Sequence, residues 1–288
     1  MPLFEKILFP VDFSPSCVAM APYVQRASAI LRAKVSLIHV VDPGSFNSFA
    51  LVTEPFSEIS EDYLEIGRAR LDSFLTEAFP TSQCARIVVP GDAAAEIARV
   101  GREGGFDLII MPTRSGRFRQ MLLGSTTAKV LNDADCPVLT SMHAETIAPR
   151  PLEHREWLCA IGLNPDSERV LRFASRAAAE AGAKISIIHA VAAGDADLPI
   201  QLDLKEEIRS AERERARQRL AELQTIVGCD VPVHIAAGSV KDALLGAARQ
   251  FNADVLIVGR SAQPGSHGRM RDLTYTLVRD SPFPVVSV

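Results

Sequence analysis

The chain has 288 residues, of which 47% are hydrophobic and 23% charged, and its formal net charge is −4. This length suffices for two domains of ordinary size, and the mixed charge gives no electrostatic reason to expect a nucleic-acid partner. Apolar runs such as Val35–Val41 are far shorter than the roughly 20 residues that a membrane helix needs. With no signal-peptide pattern at the N-terminus and scattered cysteines typical of reduced thiols, we expect a cytoplasmic protein without membrane contact.

The first half of the chain alternates short apolar strands with amphipathic helices. Near-continuous runs of Val, Ile and Leu are typical of parallel strands that are buried on both faces. In chain order the predicted elements are strand Lys6–Val11, helix Cys17–Leu31, strand Val35–Val41, helix Asp62–Phe79, strand Ala85–Val89, helix Ala93–Glu103, strand Leu108–Met111, helix Thr126–Leu131 and strand Val138–Ser141. The pattern predicts an α/β sandwich with right-handed crossovers.

The second half of the chain repeats the first. The segment Lys34–Val41 recurs as Lys184–Val191, and Phe106–Pro112 recurs as Ala253–Gly259. Self-similarity at a nearly constant offset indicates two homologous units, and the proline-containing segment 148–152 is typical of a boundary between them. We predict two tandem domains, residues 1–145 and 153–288.

Ligands of such parallel sheets sit beyond the carboxyl ends of the strands, where Asp12 follows the first strand. Its carboxylate could accept a hydrogen bond from a ribose hydroxyl or an adenine amine, or bind a metal ion that bridges phosphates. Alternatively, Asp12 or Ser14 caps the first helix. The position alone leaves both interpretations open.

Gly124 and Ser125 stand where the last helix of the first unit begins. A glycine that admits close approach, followed by a helix N-terminus, offers backbone N–H groups and a favourable dipole to a phosphate. The alternative is that Ser125 and Thr126 merely cap the helix. Arg114, Arg117 and Arg119 in the preceding turn could clamp phosphates, or form solvated surface.

Two histidines, His39 and His189, lie at matching positions inside apolar strands. Neither has Cys or carboxylate neighbours at metal-binding spacing, so we expect hydrogen-bonded core histidines. The sequence contains no nucleophile elbow, Walker A motif or paired-carboxylate site, and therefore nothing in it demands catalysis.

Together these segments resemble a universal stress protein domain, and the second half of the chain resembles another. The resemblance rests on Ile7–Asp12, Val35–Val41, Gly91, Asp107–Met111, Gly124-Ser125 and Cys136–Val138. It implies two tandem adenine nucleotide alpha hydrolase-like domains, each a five-stranded parallel sheet with helices on both faces. It also implies association of the domains through their last strands, Pro137–Ser141 and Pro284–Val288. Because the repeat offers one self-complementary edge twice, we expect the units to face each other about a pseudo-twofold axis, and we expect further self-association as a homodimer.

The phosphate loop departs from the family pattern. ATP-binding members carry Gly-x-x-Gly, nine residues, then Gly-Ser or Gly-Thr, whereas Pro112 and Ser115 occupy the two glycine positions here and eight residues separate Ser115 from Gly124. Pro112 has no N–H to donate and Ser115 resists positive φ. Gly116 could open the turn instead, and the basic turn 114–119 could replace the lost contacts with guanidinium groups, which would make binding sensitive to salt.

The resemblance nevertheless implies a nucleotide site in the first domain, because Asp12 matches the family's aspartate and Val41 its adenine-side valine. The expected site residues are Pro10, Val11, Asp12, Val41, Met111, Pro112, Arg114, Gly116, Arg117, Gly124, Ser125 and Thr126. In the second unit Gly162 replaces Asp12, and Arg271-Asp272 replaces Gly124-Ser125. We therefore expect ATP or another adenine nucleotide, with or without Mg²⁺, in the N-terminal domain only.

The resemblance implies a tandem universal stress protein that binds an adenine nucleotide in a stress-response or regulatory role, with at most slow ATP hydrolysis. A second hypothesis is a non-nucleotide interaction and dimerisation module with degenerate sites in both domains. A third, an enzyme of the wider adenine nucleotide hydrolase-like superfamily, has no visible acid–base pair to support it. Asp12 and Gly124-Ser125 favour the first hypothesis, while Pro112 and the shortened loop favour the second.

Overall fold

The computed structural model describes residues 2–42, 56–113, 123–141, 156–191, 202–260 and 272–288. The chain divides into two compact units, Met1–Leu152 and Glu153–Val288. The predicted domain limits at residues 145 and 153 fall within 142–155, outside the described residues, and stay predictions.

The first unit is a five-stranded parallel sheet with helical crossovers. Its elements are β1 (Lys6–Pro10), α1 (Pro15–Leu31), β2 (Lys34–Val41), α2 (Phe56–Ser73), β3 (Ala85–Pro90), α3 (Ala93–Glu103), β4 (Leu108–Pro112), α4 (Ser125–Asp133) and β5 (Val138–Ser141). The strands lie in the order β3-β2-β1-β4-β5. The central strand is buried on both faces, because the side chains of Ile7, Leu8 and Phe9 are fully inaccessible, as the apolar run predicts.

The strands end at different heights, and this stagger shapes the upper edge of the sheet. Pairing of β2 with β1 ends at Ile38, opposite Pro10, whereas pairing of β2 with β3 continues to Val41, opposite Pro90. The chain leaves β1 through Val11, whose N–H donates to the Ile38 carbonyl at 2.8 Å. A gap therefore opens beside the last residues of β2.

The second helix differs from the prediction. The sequence pattern predicts a helix over Asp62–Phe79, but α2 spans Phe56–Ser73, and Leu75 adopts a left-handed φ of 54°. The guanidinium of Arg86, on β3, donates to the carbonyls of Leu71, Phe74 and Phe79. These contacts hold the chain after α2 in a turn, since they satisfy carbonyls that a longer helix would bond internally.

The second unit repeats the architecture. Its elements are β6 (Glu156–Ala160), α5 (Ser167–Ala181), β7 (Lys184–Val191), α6 (Leu202–Val227), β8 (Val233–Ala237), α7 (Val240–Gln250), β9 (Val255–Val258), α8 (Asp272–Asp280) and β10 (Val285–Ser287). Its parallel strands lie in the order β10-β9-β6-β7-β8. The predicted fold class, two α/β parallel-sheet units in tandem, is confirmed. Across the described ranges, no helix has both the length and the apolar character needed to cross a bilayer.

Candidate functional site

A cleft of about 240 Å³ opens at the carboxyl ends of β1, β2 and β4 in the first unit. Most of the predicted site residues line it, namely Pro10, Val11, Asp12, Met111, Pro112, Gly124, Ser125 and Thr126. The loops after β1 and β4 therefore converge as the topology predicts.

Val41 is placed differently from the prediction. It is buried, and its Cγ2 would stand 3.1 Å from a Cβ built on Gly67 of α2. Its side chain thus packs against α2 and is not among the described residues that line the cleft. The predicted residues Arg114, Gly116 and Arg117, together with Arg119, lie outside the described residues.

Several lining residues were missed by the sequence analysis: Cys17, Ile38, His39, Val40, Ala93, Ile97 and Thr127. Ala93 and Ile97 are four positions apart on α3, so they share one helix face, which the helical periodicity could have revealed. The three residues of β2 carry no such signal, because only the stagger of the strand ends brings them to the cleft.

Val40 presents its backbone to the cleft. Alternate residues of a strand direct their N–H and C=O groups to the same side. The Ile38 carbonyl faces β1, where it accepts from Val11, and the Val41 carbonyl faces β3, where it accepts from Gly91 at 3.0 Å. The N–H and C=O of Val40 therefore point to the β1 side, beyond the end of the pairing with β1.

Asp12 lies at the mouth of the cleft and does not cap α1. The cap is Ser14, whose side chain accepts from the Cys17 N–H. The Asp12 Oδ1 atom accepts from the Ser14 N–H at 3.0 Å and from the Cys17 thiol at 3.1 Å. The sequence left open whether this loop caps α1 or serves a ligand. Ser14 caps the helix, and the Asp12 carboxylate lines the cleft.

Cys17 lies beneath Asp12 in the first turn of α1. Its side chain is only 2% exposed. Burial, reinforced by the adjacent Asp12 charge, raises the pKa of the thiol to about 12. The thiol is therefore a neutral hydrogen-bond donor at neutral pH and a poor nucleophile, since the thiolate is the reactive form.

His39 has the structural role expected of a core histidine and also lines the cleft. Its Nδ1 lies 2.9 Å from the Val11 carbonyl, and burial lowers its pKa. In the second unit, Nδ1 of His189 lies 2.7 Å from the Ile161 carbonyl. Each histidine thus holds the chain just after the first strand of its unit, and the prediction of hydrogen-bonded histidines is confirmed.

The N-terminus of α4 is built unlike those of α1 and α3. Ser14 and Asp92 cap α1 and α3 through their side chains. The N-cap of α4 is Gly124, with φ −56° and ψ 138°, and a glycine has no side chain with which to cap the helix. The interpretation that Ser125 or Thr126 is the cap is therefore wrong. The first-turn N–H groups of a helix have no intrahelical acceptor, and here they belong to residues that line the cleft.

The end of β4 accommodates Pro112 because the proline nitrogen does not face β5, the strand with which this part of β4 pairs. Thr113 donates its N–H to Ser141 of β5 at 3.2 Å, so the nitrogen of Pro112 points the other way, towards β1. The proline thus leaves the pairing with β5 intact and removes a donor from the cleft side. Its carbonyl accepts from the Thr127 hydroxyl at 3.2 Å.

The equivalent positions of the second unit serve packing. A Cβ built on Gly259 would stand 2.8 Å from Cγ2 of Val170, so this glycine allows α5 to approach the end of β9. Beside Gly162, which replaces Asp12, the Asn164 Oδ1 accepts from the Asp166 N–H at 3.0 Å and from the Ser167 hydroxyl at 3.3 Å. These contacts organise the start of α5 without a carboxylate at position 162.

Comparisons with known proteins agree with this architecture. The model of the universal stress protein family matches residues 3–141 and 155–288. Universal stress protein A homolog 2 of Coxiella burnetii is 30% identical over 139 residues, which are 47% of this chain and 93% of that protein. A universal stress protein of Methanocaldococcus jannaschii is 26% identical over 152 residues, 48% of this chain and 94% of that protein.

A solved structure extends the similarity over the whole chain. The universal stress protein from Archaeoglobus fulgidus superposes with a TM-score of 0.67 at 22% identity, covering 98% of this chain and 97% of that one. At this identity the likeness concerns the fold alone, whereas the two matches to the family model cover both units. The chain therefore belongs to the universal stress protein family and carries two copies of its domain in tandem.

Proposed function

We propose that the first unit binds an adenine nucleotide, ATP or a close relative, in the cleft, and that this binding serves a stress-response or regulatory role. The observation that carries the proposal is the N-terminus of α4, which opens on the cleft with a glycine N-cap that has no capping side chain of its own. Exposed first-turn N–H groups and the positive end of the helix dipole form a favourable site for phosphate.

The strand order supports one orientation of the ligand. Val40 belongs to β2, Asp12 follows β1, and Gly124 follows β4, and β1 lies between the other two strands. Adjacent strands are about 4.8 Å apart, so these three positions form a row across the sheet. We place the base at Val40, the ribose at Asp12 and the phosphates at the start of α4.

The base end of the cleft offers a donor and an acceptor side by side. The N–H and C=O of Val40 can pair with N1 and the exocyclic amine of adenine. Apolar side chains of Ile38, Ile97 and Met111 line the same cleft and can contact the faces of the ring. The Asp12 carboxylate can accept from a ribose hydroxyl, since ionised carboxylates are strong acceptors.

At the phosphate end, the donors would be the backbone N–H groups of Ser125, Thr126 and Thr127. Of the described residues that line the cleft, Asp12 is the one acid, and we assign it to the ribose. Any Mg²⁺ would then be held chiefly by phosphate oxygens and water, as is common for this ion. A contribution from the basic turn 114–119 stays a prediction.

We propose binding rather than efficient hydrolysis. The titratable side chains among the described lining residues are Asp12, Cys17 and His39, and His39 is engaged with the Val11 carbonyl. With Cys17 held neutral, no nucleophile with an adjacent base lines the described part of the cleft. At most slow turnover of ATP is expected.

We restrict the proposal to the first unit. In the second, Gly162 carries no carboxylate, and α8 begins at Asp272, whose negative charge at a helix N-terminus would repel a phosphate. Gly259 is equivalent to Pro112, the first glycine position of the family pattern, but its close packing against Val170 accounts for a glycine there without a phosphate loop.

The test is calorimetric titration of the full chain, stripped of co-purified nucleotide, with ATP, ADP, AMP and GTP. We expect wild type to bind adenine nucleotides, and Gly124→Val to lose binding because a side chain beside the first-turn N–H groups obstructs the phosphate. Any residue can adopt the φ and ψ of Gly124, so the fold should persist in this variant. Gly246→Val is the matched control, because a Cβ there meets nothing within 4 Å.

Two outcomes would contradict the proposal. If wild type binds none of these nucleotides, a non-nucleotide interaction module with degenerate sites is the better description of the protein. If Gly124→Val binds as tightly as wild type, the phosphate does not lie at the start of α4.

A further inference from the structure

We propose that Cys17 is a positioning residue of the nucleotide site, whose thiol holds the Asp12 carboxylate in the orientation that meets the ribose. The inference rests on the proposed function and adds a residue for which sequence analysis suggested no role. Cys17 lines the cleft from below, and its Sγ lies 3.1 Å from Oδ1 of Asp12.

The carboxylate is fixed from two directions. Oδ1 accepts from the Ser14 N–H at 3.0 Å as well as from the thiol. The thiol comes from the first turn of α1, whereas the N–H comes from the loop after β1. Two donors on one oxygen restrict rotation of the carboxylate, so the group is preorganised before a ligand arrives.

The thiol remains a donor throughout the physiological range. Burial and the Asp12 charge raise its pKa to about 12, so the S–H proton is retained at neutral pH. The other acceptor near the thiol, the Pro10 carbonyl, lies farther away at 3.9 Å, while the Ser14 hydroxyl at 3.7 Å and the Asp12 backbone N–H donate to the sulfur. The Asp12 carboxylate is therefore its main acceptor.

The second unit provides an internal comparison. Ser167 occupies the position equivalent to Cys17, by the same offset that relates Asp12 to Gly162. Its hydroxyl is a buried donor to the side chain of Asn164 at 3.3 Å. Both units thus keep a small donor in the first helical turn, but the acceptor is a carboxylate at the cleft only in the first unit.

The experiment combines a double-mutant cycle with a change of ligand. The full chain is titrated with ATP and with its 2′-deoxy and 3′-deoxy analogues, using wild type, Cys17→Ala, Cys17→Ser, Asp12→Ala and the Asp12→Ala/Cys17→Ala double variant. We expect Cys17→Ala to weaken ATP binding about 3- to 10-fold, less than the usual value of a hydrogen bond to a charged group, because a thiol is a weak donor. Its preference for ATP over the deoxy analogues should shrink.

Two further results are required by a positioning role. Cys17→Ser, which keeps a donor, should bind within about 2-fold of wild type, because a hydroxyl can replace the thiol. The double variant should bind no more weakly than Asp12→Ala alone, because coupled residues are not additive.

Ser167→Ala is the matched control, since it removes the equivalent donor where there is no carboxylate at the cleft. It should bind ATP as wild type does. If Cys17→Ala fails to fold, Cys17→Val, which fills the volume without a donor, takes its place.

The outcomes separate the two proposals. If wild type binds ATP and Cys17→Ala binds equally well, or if its effect adds fully to that of Asp12→Ala, the positioning role is wrong and the nucleotide site stands. If wild type binds no adenine nucleotide, both proposals fall.

Discussion

Asp12 and Gly162 occupy equivalent positions after the first strands of their units, and the difference between them separates the two sites. At Asp12 a carboxylate is held by the Ser14 N–H and the Cys17 thiol at the mouth of a cleft. At Gly162 a Cβ would stand 3.0 Å from Nδ2 of Asn164, so a larger residue there would displace that side chain. The same position therefore presents a carboxylate to the cleft in the first unit, whereas in the second it leaves room for the Asn164 side chain at the start of α5.

We expect Asp12→Ala to weaken ATP binding by about 10- to 100-fold, since a hydrogen bond to a charged group contributes about 1.5–3 kcal/mol. Calorimetric titration measures the change. Asp135→Ala is the charge-matched control, because Asp135 pairs with Arg102 at the surface and does not line the cleft. Equal weakening by both variants would show that net charge, not the ribose contact, is responsible.

Cys17 should make the stability of the first unit dependent on pH in the alkaline range. The pKa of the thiol is raised from 9.0 to about 12 in the folded chain. The folded state therefore holds the thiol proton more tightly than the unfolded chain does. The contribution of this protonated thiol to stability is complete below pH 9 and is lost as the pH rises towards 12. The slope for one proton is about 1.4 kcal/mol per pH unit.

The measurement is urea unfolding of wild type and Cys17→Ser, followed by circular dichroism between pH 8 and pH 11. The free energy of unfolding of wild type should fall relative to that of Cys17→Ser as the pH rises above 9. Cys84→Ser controls for the other buried thiol of this unit, whose pKa burial also raises. A difference between wild type and Cys17→Ser that stays constant over this range would contradict the assignment.

At the scale of elements, α3 and α4 are tied beside the cleft by one residue with two roles. Asp92 accepts from the N–H groups of Ala94 and Ala95, which lowers its pKa, and it pairs with Lys129 of α4 at 3.1 Å. Both partners of the ion pair are more than half exposed, and exposed ion pairs contribute little. The cap is therefore the stronger of the two interactions.

We expect Asp92→Ala to lower the free energy of unfolding by about 1 kcal/mol, the usual value of an N-cap. Asp92→Asn, which keeps a capping oxygen, and Lys129→Ala, which removes only the ion pair, should each cost less. Urea unfolding of the three variants gives the comparison. If Lys129→Ala were as destabilising as Asp92→Ala, the ion pair would be the dominant interaction.

A substitution at Gly259 can test how closely α5 packs on the end of β9. An added Cβ would stand 2.8 Å from Cγ2 of Val170, so we expect Gly259→Ala to destabilise the second unit by about 1–3 kcal/mol, as overpacking does. The chain has one tryptophan, Trp157 on β6 of this unit, so its fluorescence reports the transition. Gly246→Ala, in open space on α7, should not destabilise it, and a neutral Gly259→Ala would contradict the packing argument.

These elements also show what the sequence can and cannot predict. The limits of α3 and β5 agree with the predictions because local periodicity and capping determine them. The end of α2 does not, because Arg86 reaches its last carbonyls from β3, and no local pattern encodes that contact.

The candidate site likewise contains features that the sequence predicts and features that it does not. The loops after β1 and β4 follow from topology, whereas the contribution of β2 depends on where its pairing with β1 stops. That is why the family pattern indicated Val41 and the cleft contains Val40. Cys17 was missed because no motif distinguishes a thiol that holds a carboxylate from one that fills the core.

At the scale of the whole molecule, the two copies of one domain have diverged at the same edge of the sheet. The first has a carboxylate at Asp12 and a glycine N-cap at its last helix, while the second has a glycine at the first position and begins its last helix with Asp272. We therefore expect one nucleotide per chain.

Calorimetry gives this stoichiometry directly, and Gly124→Val should reduce it from one to zero. Gly162→Asp, a replacement in the second unit, should leave it at one, because the phosphate end of that unit would still carry Asp272. Two equivalent sites in wild type would contradict this divergence of the two units.

The stagger between β1 and β2 has a consequence for how this protein can change over time. The proposed recognition by the N–H and C=O of Val40 would depend on no particular side chain, so a point mutation at that position to any residue but proline alters volume and leaves both groups in place. A one-residue insertion within β2 would turn the following backbone groups to the opposite neighbour, because strand geometry repeats every two residues. Natural selection for ligand recognition at this edge would therefore conserve the lengths of two strands more strictly than the identity of residue 40.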